Sequence, residues 1–212
     1  MAEPLRIDLW SDVVCPFCYL GSRQLELALA RFEHRDDVEL VHHAFELDPG
    51  ATLSLVSLDE LLATKYAMPL ERSRAMHERL SQQAAAMGLT WSLDRARSTN
   101  TFDAHRLVAL AATQDLGPAM ARRLHAAYFS DGLVVSDRAT LDELASEVGV
   151  SGSASLWAGD AFADDVRADE QLASELGISG VPAFVVDRKF LISGAQGDDP
   201  ILEVLHRAWA ER

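Results

Sequence analysis

Apolar and polar residues alternate at the start of the chain. Leu5, Ile7 and Leu9 occupy every second position, which predicts a strand with one buried face. After a short loop, apolar residues recur at helical spacing, and a second β-rich run, VELVHHAFEL, follows at residues 38–47. The pattern therefore predicts a strand–helix–strand unit over residues 5–47.

The pattern in the middle of the chain is helical throughout. Ser57 with Glu60, and Thr140 with Glu143, have the spacing of capping boxes and predict two helix starts. Tyr66 belongs to the apolar face of the first of these helices. Between them, the stretch NTFDAHRLVALAATQDLG is apolar on nearly every side, which is typical of a helix at the centre of a helical region.

Mixed α/β patterning returns in the last third. A helix is predicted at roughly 162–176. The run GVPAFVVDRKFLISG has the composition of a β-hairpin that turns at Asp187-Arg188, and a last helix is predicted to open at Asp199-Pro200.

The two ends of the chain cannot each close a core alone. The economical solution is a single sheet that both ends share, with the helical block inserted between them. This predicts an α/β protein with a thioredoxin fold and a large all-helical insertion. Residues 1–53 and 151–212 would form the discontinuous thioredoxin-like domain, and residues 54–150 the insertion.

Charge and composition narrow the function. The 212-residue chain has 19 basic and 33 acidic residues, a net charge of −14, which argues against a nucleic-acid or anionic-membrane partner. The start of the sequence shows no signal peptide and no segment is apolar enough to span a membrane, so a cytoplasmic location is expected. A cluster of four aspartates predicts a solvated helix face: Asp160, Asp164, Asp165 and Asp169.

The only two cysteines, Cys15 and Cys18, lie in the segment WSDVVCPFCYLG at the predicted turn from strand to helix. Three interpretations compete. A zinc site would need a second closely spaced ligand pair, which the scattered histidines do not supply. Two inert core thiols would leave the placement at a turn unexplained. The third interpretation is a redox pair, which needs no metal.

The redox interpretation follows from the helix start. Two intervening residues let the sulfurs meet across the first turn, and unpaired N–H groups there stabilise a thiolate at Cys15. Cys15 is therefore the expected nucleophile and Cys18 the resolving thiol, with Pro16 suited to the first turn. Asp12 lies where a carboxylate could act on the Cys15 thiol, although ending the strand is its simpler role.

A second piece of the site is predicted in GISGVPAF, residues 177–184. In a thioredoxin-like fold, the proline at the head of the hairpin is held cis and lies against the cysteine pair. We expect this of Pro182, which would expose the Val181 backbone to a substrate peptide. A trans proline that starts a strand is the alternative.

The segments CPFCYLG, NTFDAHRL and GISGVPAFVVDRKFLISGAQ resemble those of the DsbA-like thioredoxin-fold oxidoreductases, and most of all their FrnE-like branch. That branch is related to the 2-hydroxychromene-2-carboxylate isomerases. The resemblance implies Cys15 and Cys18 as the redox pair, with Pro16, Phe17, Val181 and Pro182 at the substrate. Phe17 replaces the histidine of the periplasmic oxidant, so its strong oxidising power is not carried over.

Two residues of the central helix have alternative roles. Asn100 and His105 either belong to a polar network that joins the insertion to the core, which is favoured because buried polar groups need partners, or line the substrate cleft.

The expected function is thiol–disulfide exchange with protein or small-molecule thiols, without a cofactor. Glutathione is a conceivable co-substrate, because the isomerase relatives use it; they typically carry serine in place of Cys15. A glutathione-dependent isomerase and a non-catalytic client-binding chaperone are the alternatives. The sequence leaves the oligomeric state open.

Overall fold

Four strands form one mixed sheet in the order β2-β1-β3-β4. The computed structural model describes residues 3–54, 56–65 and 67–212, so Tyr66 lies outside the described residues. Strand β1 runs parallel to β2 and antiparallel to β3, and β3 pairs with β4 as a hairpin. The strands are β1 (Leu5–Ser11), β2 (Val38–Ala44), β3 (Ala183–Val186) and β4 (Phe190–Ser193).

The hairpin prediction is confirmed. Asp187 and Arg188 both have positive φ, 52° and 55°, as a two-residue turn between twisted strands requires. The α-helices of the described residues are α1 (Pro16–Arg31), α2 (Leu58–Lys65), α3 (Leu70–Ala86), α4 (Phe102–Ala112), α5 (Gly117–Ala126), α6 (Arg138–Val148), α7 (Ser153–Leu156), α8 (Ala163–Glu175) and α9 (Asp198–Ala210). A short π-helical turn, Ala127–Asp131, extends α5.

The sheet is covered on both faces. Helices α1 and α9 bury Leu25 and Leu205 against one face, while α8 lies near β2 and Ala173 packs with Trp10 of β1. Helices α2 to α7 all fall between β2 and α8 in the chain. The architecture is therefore the α/β thioredoxin fold with added helices, while the predicted boundaries at residues 53/54 and 150/151 stay a prediction.

A second core lies among the added helices. Leu107 on α4, Met120 and Leu124 on α5, and Leu141 on α6 are fully buried together. This places α4 at the centre of the helical region, as its apolar composition predicts. Among the described residues, no helix is long and apolar enough to cross a membrane.

One of the two predicted capping boxes is confirmed. The Glu60 N–H donates to Ser57 Oγ and the Ser57 N–H donates to Glu60 Oε2, both at 3.3 Å. The capping box predicted at Thr140 and Glu143 is wrong, because the N-cap residue of α6 is Asp137. Its carboxylate accepts the Thr140 N–H at 2.9 Å, so an aspartate three residues earlier takes the role predicted for Thr140.

The prediction of a solvated acidic face was wrong for Asp169. Its Oδ1 lies 2.5 Å from His43 Nδ1, and its Oδ2 accepts the Ala44 N–H at 2.9 Å. His43 Nε2 lies 2.8 Å from Asp8 Oδ1, and Trp10 stacks on the imidazole at 4.3 Å. Helix α8 is thus fastened to the sheet by an imidazole between two carboxylates.

Candidate redox site

Cys15 is the residue that precedes helix α1. Its backbone is extended (φ −84°, ψ 116°), and Pro16 takes the first helical position. The Cys15 carbonyl accepts the N–H groups of Cys18 at 3.1 Å and Tyr19 at 3.2 Å. Because the helix begins here, Cys15 lies at the end of α1 that has free N–H groups and the positive end of the helix dipole.

Cys18 lies one turn further on and is fully buried. Both thiols are free in this structure. Burial raises the pKa of the Cys18 thiol well above its ordinary value, and contact with Cys15 raises it further. The Asp12 N–H donates to Cys18 Sγ at 3.5 Å. The pair is thus asymmetric, with a fully enclosed thiol behind one that borders a cleft.

The peptide bond between Val181 and Pro182 is cis, which confirms the sequence prediction. Cys15 Sγ lies 3.6 Å from the Val181 carbonyl oxygen, so this segment faces the cysteine pair. The Pro182 carbonyl accepts the Gly194 N–H at 2.7 Å, which ties the proline to the end of β4. Two distant parts of the chain therefore meet at Cys15.

A cleft of about 420 Å³ opens above Cys15. Its lower wall comes from residues 12, 14–17 and 180–181. Of the predicted substrate contacts, Pro16, Phe17 and Val181 line the cleft and Pro182 does not; the contact with substrate stays a prediction. The upper wall of the cleft comes from the added helices, and consists of Leu58, Leu61, Met76, His77, Leu80 and Tyr128. The helical region therefore covers the site, and Cys15, only 3% exposed, is reached through this cleft.

Asp12 directly follows strand β1 and is buried. Its Oδ2 accepts the Leu47 N–H at 2.8 Å, and its carbonyl accepts the Cys15 N–H at 3.1 Å. Asp12 therefore holds the loop after β2 against the cysteine loop, a structural role that differs from the strand end favoured by the sequence. Its Oδ1 lies 3.4 Å from His105 Nε2.

Asn100 and His105 do not line the cleft. Asn100 Oδ1 accepts the Phe102 N–H at 2.9 Å at the start of α4, and its amide donates to Glu46 Oε1 at 3.3 Å. His105 lies behind Asp12 and borders a small void with His43. Both residues thus have the structural position that the sequence favoured, while Thr99 and Thr101 are the neighbours that line the cleft.

Sequence reasoning missed the upper wall of the cleft. Tyr128 lines it while its hydroxyl donates to the Arg97 carbonyl at 2.9 Å, and burial raises the pKa of this phenol. His77 also lines it and lies 2.7 Å from Asp59. No local signal marks these residues, because their place at the site depends on how the added helices pack over α1.

Gly21 on α1 is the close-packing partner of the proline segment. A Cβ added there would lie 2.8 Å from Pro182 Cγ and 3.2 Å from Phe184 Cζ. We expect Gly21→Ala to lower the free energy of unfolding by about 1 kcal/mol net, because overpacking against a rigid ring outweighs the gain in helix propensity. Urea unfolding measures the change.

Gly159→Ala is the matched control. A Cβ at Gly159 meets nothing within 4 Å, so this variant should stay within about 0.5 kcal/mol of the parent. A Gly21→Ala variant as stable as Gly159→Ala would contradict the tight contact between α1 and Pro182.

Three features define this protein as one of the thioredoxin fold. They are the four-stranded sheet in this order, the Cys-Pro-Phe-Cys turn at a helix start and the cis-proline that faces it. Residues 6–206 match the family model for the DSBA-like thioredoxin domain. The chain belongs to this family, which confirms the resemblance and the fold class. A comparison with curated proteins finds no match.

Solved structures agree. The chain is 40% identical to a Streptomyces coelicolor protein described as a probable DsbA oxidoreductase, with a TM-score of 0.92 over 98% of this chain and 91% of the other. The cytosolic disulfide reductase DsbM from Pseudomonas aeruginosa, solved with GSH, shares the fold at 21% identity and a TM-score of 0.67, covering 96% and 100%. A 2-hydroxychromene-2-carboxylate isomerase shares the fold at 14% identity and a TM-score of 0.67, with 97% of this chain and 95% of the other covered.

Proposed function

We propose that the protein catalyses thiol–disulfide exchange at Cys15 and Cys18, with apolar polypeptide segments as its substrates. One observation carries the proposal: Cys15 Sγ borders the cleft beside the Val181 carbonyl, while Cys18 is enclosed directly behind it. A thiol that borders an open cleft, with a second thiol enclosed behind it, suits disulfide exchange.

The chemistry balances without a cofactor. When the pair is oxidised, a substrate thiolate attacks Cys15 Sγ, the Cys15–Cys18 bond breaks and Cys18 leaves as a thiolate that takes up a proton. A second thiolate of the substrate then attacks the substrate sulfur that is bonded to Cys15. The substrate disulfide forms, and Cys15 leaves as a thiolate. The substrate loses two electrons and the pair gains them; the reverse sequence reduces a substrate disulfide.

The surroundings of Cys18 suit the resolving role. Burial keeps its pKa high, so Cys18 is protonated at neutral pH and does not compete for the incoming sulfur. The Asp12 N–H, 3.5 Å from Cys18 Sγ, stabilises negative charge there at the moment Cys18 leaves or attacks.

The cleft favours apolar substrates. Phe17, Leu47 and Met76 all line it and remain 45%, 48% and 36% exposed. Exposed apolar side chains that are grouped in one cleft are typical of a binding surface. A peptide that lies along the cleft would cover these side chains and place its cysteine at Cys15, with its backbone beside Val181 and Pro182.

Trapping tests the proposal. In a Cys18→Ala variant the mixed disulfide cannot be resolved, so a peptide disulfide should remain attached to Cys15 and appear in the mass spectrum of the protein. A peptide with leucines beside its cysteine should attach about tenfold faster than one with glutamates, which corresponds to burial of one apolar side chain. The Cys15→Ser/Cys18→Ala double variant is the control, and equal rates for both peptides would contradict the apolar cleft.

Other parts of the assignment stay predictions. Glutathione as co-substrate is one, although DsbM, a protein of the same fold, was solved with GSH. The cytoplasmic location is another; DsbM is described as cytosolic. The direction of electron flow follows from the equilibrium potential of the cysteine pair against glutathione.

A further inference from the structure

His77 lies on helix α3 and lines the cleft above Cys15. It is buried, with 7% of its surface exposed. Exchange at Cys15 starts from a substrate thiolate, and a cysteine thiol with a pKa near 8.5 is only about 3% ionised at pH 7. A group in the cleft that accepts the thiol proton would therefore raise the rate of exchange.

A carboxylate holds the His77 ring. His77 Nδ1 lies 2.7 Å from Asp59 Oδ1, and the Ser73 hydroxyl donates to the same carboxylate oxygen, also at 2.7 Å. An imidazole nitrogen this close to a carboxylate carries its proton, because two acceptors would repel each other. In the neutral ring the unprotonated nitrogen is therefore Nε2, which can accept a proton.

The opposite edge of the ring borders the cleft. His77 lines the cleft and Asp59 does not, so the edge that faces away from Asp59, which carries Nε2, is the one directed towards the cleft. Among the described residues Nε2 has no hydrogen-bond partner, and it is not one of the partnerless polar atoms that are sealed from solvent. The nitrogen that can accept a proton is thus open to the cleft.

The protonation state of His77 suits a base. Burial lowers the pKa of His77, although Asp59 acts in the opposite direction, so the ring is neutral at pH 7. Asp12, Asp48 and Tyr128 are the other titratable side chains that line the cleft beside the cysteine. A carboxylate is too weak a base for a thiol, and burial raises the pKa of the Tyr128 phenol, which keeps it protonated.

Given the proposed exchange at Cys15, on which this role depends, we propose that His77 is a catalytic base whose Nε2 takes the proton of the substrate thiol, directly or through one water, as the sulfur attacks Cys15 Sγ. The attack breaks the Cys15–Cys18 bond, and the imidazolium, stabilised by Asp59, then releases its proton to solvent. In the reverse step Cys18 attacks Cys15, the substrate sulfur leaves with the electron pair, and the imidazolium protonates it.

Two peptides that differ only in the attacking atom test this role. One carries cysteine, and the other selenocysteine, whose selenol is already ionised at neutral pH and needs no base. Each peptide is mixed in excess with the disulfide form of the protein, and loss of that form is followed by alkylation and mass spectrometry. We expect His77→Gln to slow the cysteine peptide about tenfold at pH 7 and the selenocysteine peptide less than about twofold.

A change of pH and two further variants are the controls. At pH 9 the gap for the cysteine peptide should shrink to less than about twofold, because the thiol then ionises unaided. Asp59→Asn keeps the shape of the side chain but removes the charge beside the imidazolium, so it should slow the cysteine peptide about threefold at pH 7. His206→Gln, at a position that is 48% exposed, should change neither rate.

The outcomes separate the role of His77 from the exchange reaction itself. Equal losses for both peptides would show that His77 only supports the packing of α3 on α2, and a cysteine rate unchanged in His77→Gln would likewise overturn its role as a base. Exchange at Cys15 would stand in both cases. If His77→Gln does not fold, Asp59→Asn decides by the same comparison. A parent protein that oxidises neither peptide would overturn the proposed function and this role together.

Discussion

Replacing Cys15 by serine is expected to lower the rate of disulfide exchange by at least about a thousandfold. The substitution removes the sulfur that borders the cleft, and the enclosed Cys18 cannot take over because a substrate cannot reach it. Losses of this size are usual when a covalent nucleophile is removed. The rate is measured with a peptide disulfide that becomes fluorescent on reduction, and with the reduced peptide in the opposite direction.

The fold should survive this substitution, because serine is nearly isosteric with cysteine. As a control, the free energy of unfolding, measured by thermal denaturation, should stay within about 0.5 kcal/mol of the parent value. The same variant distinguishes the alternative functions: a glutathione-dependent isomerase should retain turnover with serine, and a client-binding chaperone should retain its affinity for peptides. Exchange at more than about a tenth of the parent rate would show that Cys15 is not the nucleophile.

His43→Phe is expected to lower the free energy of unfolding by about 3 kcal/mol at pH 7. The two carboxylates beside the imidazole raise the pKa of His43 to about 9 although burial acts in the opposite direction, so His43 is an imidazolium that donates to Asp8 and Asp169. Phenylalanine keeps the ring against Trp10 but removes both donors and the charge, which leaves buried acceptors without a partner. Guanidinium unfolding measures the change.

The cost of this substitution should depend on pH. A histidine has an unfolded pKa near 6.5 and His43 a folded pKa of about 9, so its charge stabilises the fold fully below pH 6.5, and this contribution is lost as pH rises through 9. The difference between parent and His43→Phe should therefore shrink from about 3 kcal/mol at pH 6 to less than about 1 kcal/mol at pH 10. A difference that stays constant would contradict the charged state of His43.

An exposed histidine supplies the matched control. His206 lies 3.3 Å from Glu33, and the two side chains are 48% and 66% exposed. His206→Phe should change stability by no more than about 0.5 kcal/mol at either pH, because solvent screens exposed pairs.

The elements of the fold could be predicted where the sequence signal is local. The alternation at Leu5, Ile7 and Leu9 defines β1, and the Asp187-Arg188 turn defines the hairpin. The cysteine pair and Pro182 could be predicted for the same reason, since each is marked by its immediate neighbours. Periodicity, turn chemistry and helix starts are properties of a few adjacent residues.

The remaining parts depend on contacts between distant residues. Asp169 has the sequence context of a solvated acidic face, and only the approach of α8 to β2 brings it to His43. Met76 and Tyr128 are ordinary apolar residues until the added helices fold over α1. His125 likewise reaches the Asp12 carbonyl across more than a hundred residues of chain. Spacing along the sequence carries no information about such pairs.

The order of strands in the sheet also bears on how the protein is made. Strand β1 is synthesised before all of the helices, yet Ile7 pairs with Val186, so its second neighbour leaves the ribosome only after helices α1 to α8. Until then one edge of β1 is unpaired, and the cysteine loop lacks the segment that later faces it. A nascent chain stalled before residue 183 should therefore expose its thiols to alkylation and depend on chaperones that shield open strand edges.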